Sequence, residues 1–433
     1  MRLFGLIAIL ALTASIAAAS AGTRIAGGHS AAPPDVAVTH WSEIASAQLT
    51  PMPSARAILG MAMVHGAIYD AVNAIDGGRQ PYLAQPAASA TASLDAAVAA
   101  AAYNVLLGLL SPPPDTLASD YAASLTLVPD GPAKTAGIAA GEAAASTMLA
   151  ARAGDGRSGG FRFTAGASPG QWRPEPSTQV GDPNAWLKDV TTFANDNPAD
   201  FASEGPDPVT SENYAADFNE VKALGGVTGS ARTQAQTDIA NFWAVNPTRL
   251  WSSIVRTLAT QQQLSTVDSA RYYALTFMSA ADTLIAVWTD KARWSFWRPA
   301  TAIHEAANDG NPDTSPDATW TPFLTTPPYP DHPSGHTSLA TAVTVTAQQF
   351  FGTDEISFSA TNSLLLGGTG TRTFTSPSQA RNEVVDARVL QGIHFRNADE
   401  DGVKIGKGVT KWVANHLFQT VGDDGNENQV GDD

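Results

Sequence analysis

In Ala55-Arg-Ala-Ile58-Leu-Gly-Met61-Ala-Met-Val-His65-Gly-Ala-Ile68-Tyr-Asp-Ala-Val72-Asn-Ala-Ile75, apolar residues recur at three- and four-residue steps. Ile58, Met61, His65, Ile68, Val72 and Ile75 therefore share one stripe of a helix, and Gly77-Gly78 stops it. His65 lies inside the stripe, which predicts a hydrogen-bonded core histidine and not a ligand. Working outward, alanine-rich helices are predicted over 91–110, 115–126 and 133–152, separated by Pro112-Pro113-Pro114 and Pro129-Asp130-Gly131-Pro132. Alanine at this density suits closely packed helices. Further helices are predicted over 211–223, 230–243, 247–262, 265–290, 294–308, 334–351, 376–391 and 397–419, with a proline-rich turn through 311–333. Thr341 to Thr346 is rich in β-branched residues but lies in a stretch long enough to be a helix. No series of strands with period-two alternation is visible. The fold class is all-α, with helices in bundles.

The chain of 433 residues is 43% hydrophobic, enough to bury a large core. A net charge of -16 argues against a nucleic-acid partner, which needs a basic face. Residues 1–21 read as an export signal: Arg2, an apolar run from Leu3 to Leu12, and Ala19-Ser20-Ala21 as the cleavage pattern. No other segment is expected to have the length and apolarity of a membrane span, so the expectation is a soluble protein of the periplasm or the extracellular space. There is no cysteine, hence no disulfide. The Gly-, Ala- and Pro-rich residues 22–40 read as a mobile leader, and the polar residues 422–433 as a frayed tail. Residues 22–153 are expected to form an N-terminal helical bundle and 211–421 a C-terminal one. Between them, 154–210 lose periodicity and fill with Gly, Pro, Asp and Trp, as a functional loop or covering lid does. Trp172, Phe193 and Phe201 in that stretch are expected to pack it onto the helices.

Three segments carry chemistry. Lys291 and Arg298-Pro299 are seven residues apart, which on one helix puts both cations on nearly the same face, roughly 10 Å apart along the axis. Two long cationic side chains so placed can converge on a small anion. In Tyr329-Pro330-Asp331-His332-Pro333-Ser334-Gly335-His336, Pro333 and Gly335 predict a tight turn into a helix. Helix-start amides face an anion, Ser334 adds a hydroxyl donor, and His336 can exchange a proton. The His332 and His336 spacing also fits a metal pair, but Pro333 and Gly335 argue against one regular helix. Arg388 and His394 would lie about 120° apart on an ideal helix. They can share a ligand only if the backbone deviates, and Gly392 is the place for it.

Taken in this order, Lys-x6-Arg-Pro, Pro-Ser-Gly-His and Arg-x5-His resemble the vanadium-dependent haloperoxidase superfamily. That superfamily shares its site with type-2 phosphatidic acid phosphatases and bacterial acid phosphatases. The stretches Ala281-Asp282 to Trp288, Phe296 to Ile303, Val64 to Ile75 and Gly392 to Arg396 resemble the haloperoxidase branch, so the likeness covers most of residues 40–420. The resemblance implies two four-helix bundles, with the site in the second. It implies vanadate as cofactor, with His394 bound to vanadium and Lys291, Arg298, Ser334, Gly335 and Arg388 around its oxygens. His336 would be the acid–base group, Lys291 would polarise bound peroxide, and Trp288, Tyr329 and His332 would border the halide pocket. The implied substrates are hydrogen peroxide and a halide, bromide or iodide before chloride, with room for a small organic substrate. The alternative is an acid phosphatase, with phosphate in the same pocket, His394 as nucleophile and His336 as general acid. Where family members often place an Asp four residues after the axial histidine, Ala398 stands here and Asp399 follows, which puts an orienting carboxylate for His394 in doubt. His332 either joins a proton network or faces solvent.

Overall fold

Asp35 starts the first helix, its carboxylate accepting from the amides of Val38 and Thr39 at 2.9 and 3.0 Å. The helix is α1 (Ala37–Leu49), and Val38, Trp41, Ala45 and Leu49 are buried at helical spacing. The end of the expected leader is thus ordered: an aspartate cap and an apolar stripe outweigh the composition of the preceding residues. The computed structural model describes residues 34–84, 87–176, 181–182, 184–195, 197–365 and 368–421, so the expected export signal and frayed tail lie outside the described residues.

The helical expectations over the first half hold closely. They appear as α2 (Ser54–Asp76), α3 (Leu94–Leu109), α4 (Asp115–Thr126) and α5 (Pro132–Ala151). Gly77 ends α2 in the left-handed conformation, φ +70°. Small residues let α5 lie directly on α3: a Cβ at Gly141 would sit 2.4 Å from the Ala97 carbonyl oxygen. By length and composition α2 could cross a membrane, which the sequence reading did not foresee, but it is buried in the core against α3, α5 and a central helix.

That central helix is α9 (Thr266–Trp294), preceded by α6 (Glu212–Leu224), α7 (Gln234–Phe242) and α8 (Pro247–Gln261). Ser265 caps α9 by accepting from the amide of Asp268. One face of α9 packs on α2; the other packs on α11 (Gly335–Phe351) and α13 (Arg396–His416). With α12 (Pro377–Leu390) against α11, these helices form the group that carries the site. The β-branched run Thr341–Thr346 is helical, its threonine hydroxyls at 341, 344 and 346 donating back to carbonyls one turn earlier.

A hairpin of β1 (Phe358–Leu365) and β2 (Gly368–Phe374) was not expected. Its alternation is real but faint. Phe358, Ala360 and Asn362 point inward while Ser359 and Thr361 pair outward with Thr373 and Thr371. Among the strand residues whose side chains are described, Phe358 and Phe374 are the large apolar ones on the buried face.

The aperiodic stretch after α5 packs as expected: Trp172 and Phe193 are buried and Phe201 lies against the core. It is fastened to α9 by Asp282, whose carboxylate accepts from the amides of Phe193 and Ala194 at 2.6 and 2.8 Å.

His65 is fully buried, stacked on Phe277 with ring centroids 5.0 Å apart, as a core position should be. Yet neither ring nitrogen has a hydrogen-bond partner, contrary to expectation. Burial, helped by Arg256, pushes its pKa down to about 3. Below the ordinary pKa of about 6.5 the unfolded chain binds a proton that the folded one refuses, so stability falls as pH drops. His65→Phe removes two unpaired nitrogens and this proton. The expected result in chemical unfolding is a gain of about 1–3 kcal/mol at pH 7, growing by about 3 kcal/mol at pH 4. A pH-independent difference would contradict it.

Candidate active site

The two cations of the first motif do not share a helix. Ser295 ends α9 at φ +43°, and Pro299 opens the next helix, α10 (Pro299–Glu305), at its first position. The residue before a proline is pushed to extended backbone, and Arg298 has φ -87° and ψ 158°. The expected helix over 294–308 is therefore a turn, α10 and a short 3-10 segment. Residues 170–172 clamp the turn: Trp172 donates its amide to Ser295 and Trp297 donates to Gly170. Lys291 and Arg298 then converge across the turn instead of along an axis.

Both converge on residues 329–331. The Lys291 ammonium donates to the carbonyls of Pro330 and Asp331, each at 2.8 Å. Arg298 donates from Nε to the Tyr329 carbonyl at 2.9 Å and from Nη1 to the Ile393 carbonyl at 2.6 Å. Neither side chain is exposed to solvent. Burial and the neighbouring Arg298 guanidinium push the Lys291 pKa well below its usual value.

Ser334 stands at the N-cap position of α11, its side chain making no capping bond, and Gly335 is the first helical residue, so the turn into a helix is as expected. Gly335 serves packing, since a Cβ there would lie 2.8 Å from the Trp288 ring. Ser334 Oγ reaches Thr337 Oγ1 at 3.3 Å, and Thr337 donates to Asp399 at 2.7 Å. Asp399 thus supports Ser334 and does not orient His394.

The deviation needed between Arg388 and His394 occurs where expected. α12 ends at Leu390 and Gly392 has φ +76°. Side chains are doubly excluded there, because a Cβ would be 2.3 Å from the Gly225 carbonyl oxygen. Arg388 is steadied by Gln391, whose amide in turn donates to the Ala240 carbonyl.

The carboxylate that orients His394 is Asp331, which sequence reasoning passed over. Its Oδ1 is 2.8 Å from His394 Nδ1 and 3.5 Å from Arg298 Nη1, with all three side chains buried. Sixty-three positions separate Asp331 from His394, and no local pattern links them; the only signal was an acid beside Pro-Ser-Gly-His. Burial raises the Asp331 pKa to about 7, opposed by Arg298 and Lys291. Burial, then Arg298 and Arg388, push His394 well below the usual histidine range, so its ring is neutral.

Beside this cluster opens a cavity of about 410 Å³, whose walls include Trp288, Tyr329, Gly335, His336 and Arg388. Trp288 and Tyr329 meet with centroids 5.3 Å apart, and the Lys291 ammonium lies 5.2 Å from the Tyr329 ring. Burial and Arg388 lower the His336 pKa, leaving it a neutral base. His332 does not join this cavity. It is buried on the other side of the 330s turn, with Nε2 3.1 Å from Ser203 Oγ and 3.2 Å from Asp401. It joins a hydrogen-bond network and does not line the cavity beside Tyr329, where the sequence places it as a pocket residue.

Whether the residues suit a buried oxyanion is tested by their unspent donors. Arg298 Nη2 and Arg388 Nε are buried without partners, and His336 Nε2 is likewise unpaired. Unmet cationic donors are costly unless an anion takes them. A tetrahedral oxyanion such as vanadate or phosphate fits that donor set.

Comparison with known proteins agrees. The family described as VCPO second helical-bundle domain matches residues 271–423. Vanadium chloroperoxidase of Curvularia inaequalis is 26% identical over 184 residues, 35% of this chain and 30% of that relative's length. A bacterial vanadium-dependent iodoperoxidase structure superposes with TM-score 0.76 at 23% identity, covering 91% of this chain and 100% of that one. A holo-type bacterial vanadium-dependent chloroperoxidase gives TM-score 0.68 at 16% identity, covering 84% and 93%. The fold is that of the vanadium haloperoxidases. Residues 271–423, which hold all the motif residues, match that second helical-bundle domain, and the chain spans about a third of the length of the curated relative it matches.

Proposed function

We propose that the protein oxidises halide with hydrogen peroxide at a vanadate held by His394, with bromide or iodide preferred to chloride. The observation that carries this reading is the meeting of two buried arginines with unspent donors beside Lys291, a carboxylate-oriented histidine, and an aromatic cavity next to them. Vanadate, when bound, supplies a Lewis acid that activates peroxide without itself changing oxidation state. Everything else is work of the chain. Asp331 accepts from Nδ1 of His394, which fixes the tautomer and leaves the lone pair on Nε2, where Arg298 Nη1 now lies at 3.1 Å and where a metal would bind in its place. Arg298 and Arg388 would offer charged donors to the oxygens of a bound oxyanion, and Lys291, held by the Pro330 and Asp331 carbonyls, would add its charge beside them. His336 is neutral with Nε2 unpaired, so it would hold and pass the proton that peroxide chemistry beside a bound oxyanion requires. Trp288 and Tyr329 line the route by which halide reaches this point, and the cavity has room for a small organic substrate as well.

The acid phosphatase reading draws on the same Asp331–His394 pair, since a carboxylate-oriented neutral imidazole is also a nucleophile for phosphorus. Two assays on one preparation separate the readings. Protein loaded with orthovanadate is expected to oxidise bromide or iodide with peroxide, and vanadate-free protein to hydrolyse a phenyl phosphate ester poorly. Hydrolysis without any halide oxidation would reverse the choice.

A further inference from the structure

The cavity beside the oxyanion cluster contains one element foreign to anion chemistry. Among its described lining residues Asp182 is the only carboxylate, in a wall otherwise made of groups such as Trp243, Trp288, Tyr329, His336 and Arg388. It comes from the aperiodic stretch before α6, far in sequence from the motifs. It is also held fast. Its amide donates to the Pro328 carbonyl at 2.9 Å, its Oδ1 accepts from the Asn184 amide at 2.8 Å, and its Oδ2 accepts from Trp288 Nε1 at 3.0 Å. Only 4% of the residue is exposed, so it has no second position to swing to.

Two consequences follow for an anion entering this cavity. The indole N–H of Trp288, a neutral donor on the aromatic wall, is already spent. In addition, an acid group with two acceptor oxygens sits where a hydrated halide would shed its water. Chloride is small and strongly hydrated, and it enters such a place only if donors replace its water. Iodide is large, polarisable and weakly hydrated, and the electropositive edges of aromatic rings suffice for it.

We propose that Asp182 is a halide-selecting residue: by capturing the Trp288 N–H and placing a carboxyl group in the cavity wall, it excludes chloride and admits iodide. Selectivity here comes from an element unfavourable to the wrong ligand, more than from one favourable to the right ligand. The proposal rests on the haloperoxidase reading. It is distinct from the oxyanion site, because Asp182 contacts none of Lys291, Arg298, Arg388 or His394 by a hydrogen bond or ion pair among those described.

The test uses Asp182→Asn and Asp182→Ala in the full chain. Asn keeps the shape and turns one acceptor into a donor; Ala frees the indole N–H. The ratio of kcat/KM for chloride to that for iodide, in vanadate-loaded enzyme, is expected to rise roughly tenfold or more in both, the worth of one net hydrogen bond. Chloride binding without turnover gives a second readout: the 35Cl line width in protein saturated with orthovanadate, with peroxide omitted, is expected to broaden in the variants. Vanadate affinity and thermal unfolding monitor the fold. If the wild type oxidises iodide but the ratio stays within twofold in both variants and the line width is unchanged, the proposal alone falls. If loaded wild type oxidises no halide, the haloperoxidase reading falls and takes this proposal with it.

Discussion

Arg298→Ala is expected to unfold the site as well as empty it. The guanidinium is fully buried and ties together two segments of chain through four groups: the Tyr329 carbonyl and Asp331 carboxylate of one, the Ile393 carbonyl and His394 ring of the other. Truncating it leaves Asp331 buried with no cation within bonding distance, and removing one member of such a pair costs about 3–5 kcal/mol. Chemical denaturation should show a loss of that order, together with loss of orthovanadate binding. Arg298→Lys separates charge from geometry. A lysine keeps the charge but cannot present the planar fork to two carbonyls and an oxyanion at once. It should recover part of the stability and little of the anion affinity. Wild-type stability in Arg298→Ala would mean that the contacts around Asp331 are incidental.

His336→Ala should act in the opposite way, leaving the fold and the anion in place while removing the chemistry. His336 sits in the first turn of α11, largely buried at the cavity wall with Nε2 unpaired, so its loss strands no buried partner. Positioned acid–base groups contribute about 10² to 10⁴ in rate, and kcat for bromide or iodide oxidation should fall by that much. Vanadate affinity, set by His394 and the three cations, should change by less than roughly tenfold, about the worth of one lost hydrogen bond. A kcat within threefold of wild type would take the proton-transfer role away from His336. The phosphatase reading makes a parallel statement for phenyl phosphate, so the substrate on which the fall is seen is itself informative.

The motif residues themselves were legible in the sequence, because each is announced by its neighbours. Pro-Ser-Gly-His signals a turn into a helix, and Gly392 signals the left-handed residue that separates Arg388 from His394. What misled was treating Lys291 and Arg298 as one helix when Pro299 already argued that Arg298 is extended. Asp331 and Asp182 were illegible for a different reason. Their roles depend on pairings, with His394 and Trp288, between segments more than sixty and a hundred residues apart. Local periodicity carries no such information. The hairpin escaped because its inward residues include Ala360 and Asn362, too small or too polar to mark a face. Helix α1 escaped because a Gly-, Ala- and Pro-rich composition was allowed to outweigh a cap and four apolar residues in register.

The central claim is that His394 Nε2, oriented through Nδ1 by Asp331, is the chain's one bond to an oxyanion metal. Titration of orthovanadate followed by 51V NMR, on wild type and on His394→Ala, tests it most directly. Wild type is expected to bind one equivalent with a shifted, broadened resonance, and His394→Ala is expected to leave the free-vanadate signal unchanged while remaining folded. Tight stoichiometric binding retained by His394→Ala would contradict the account.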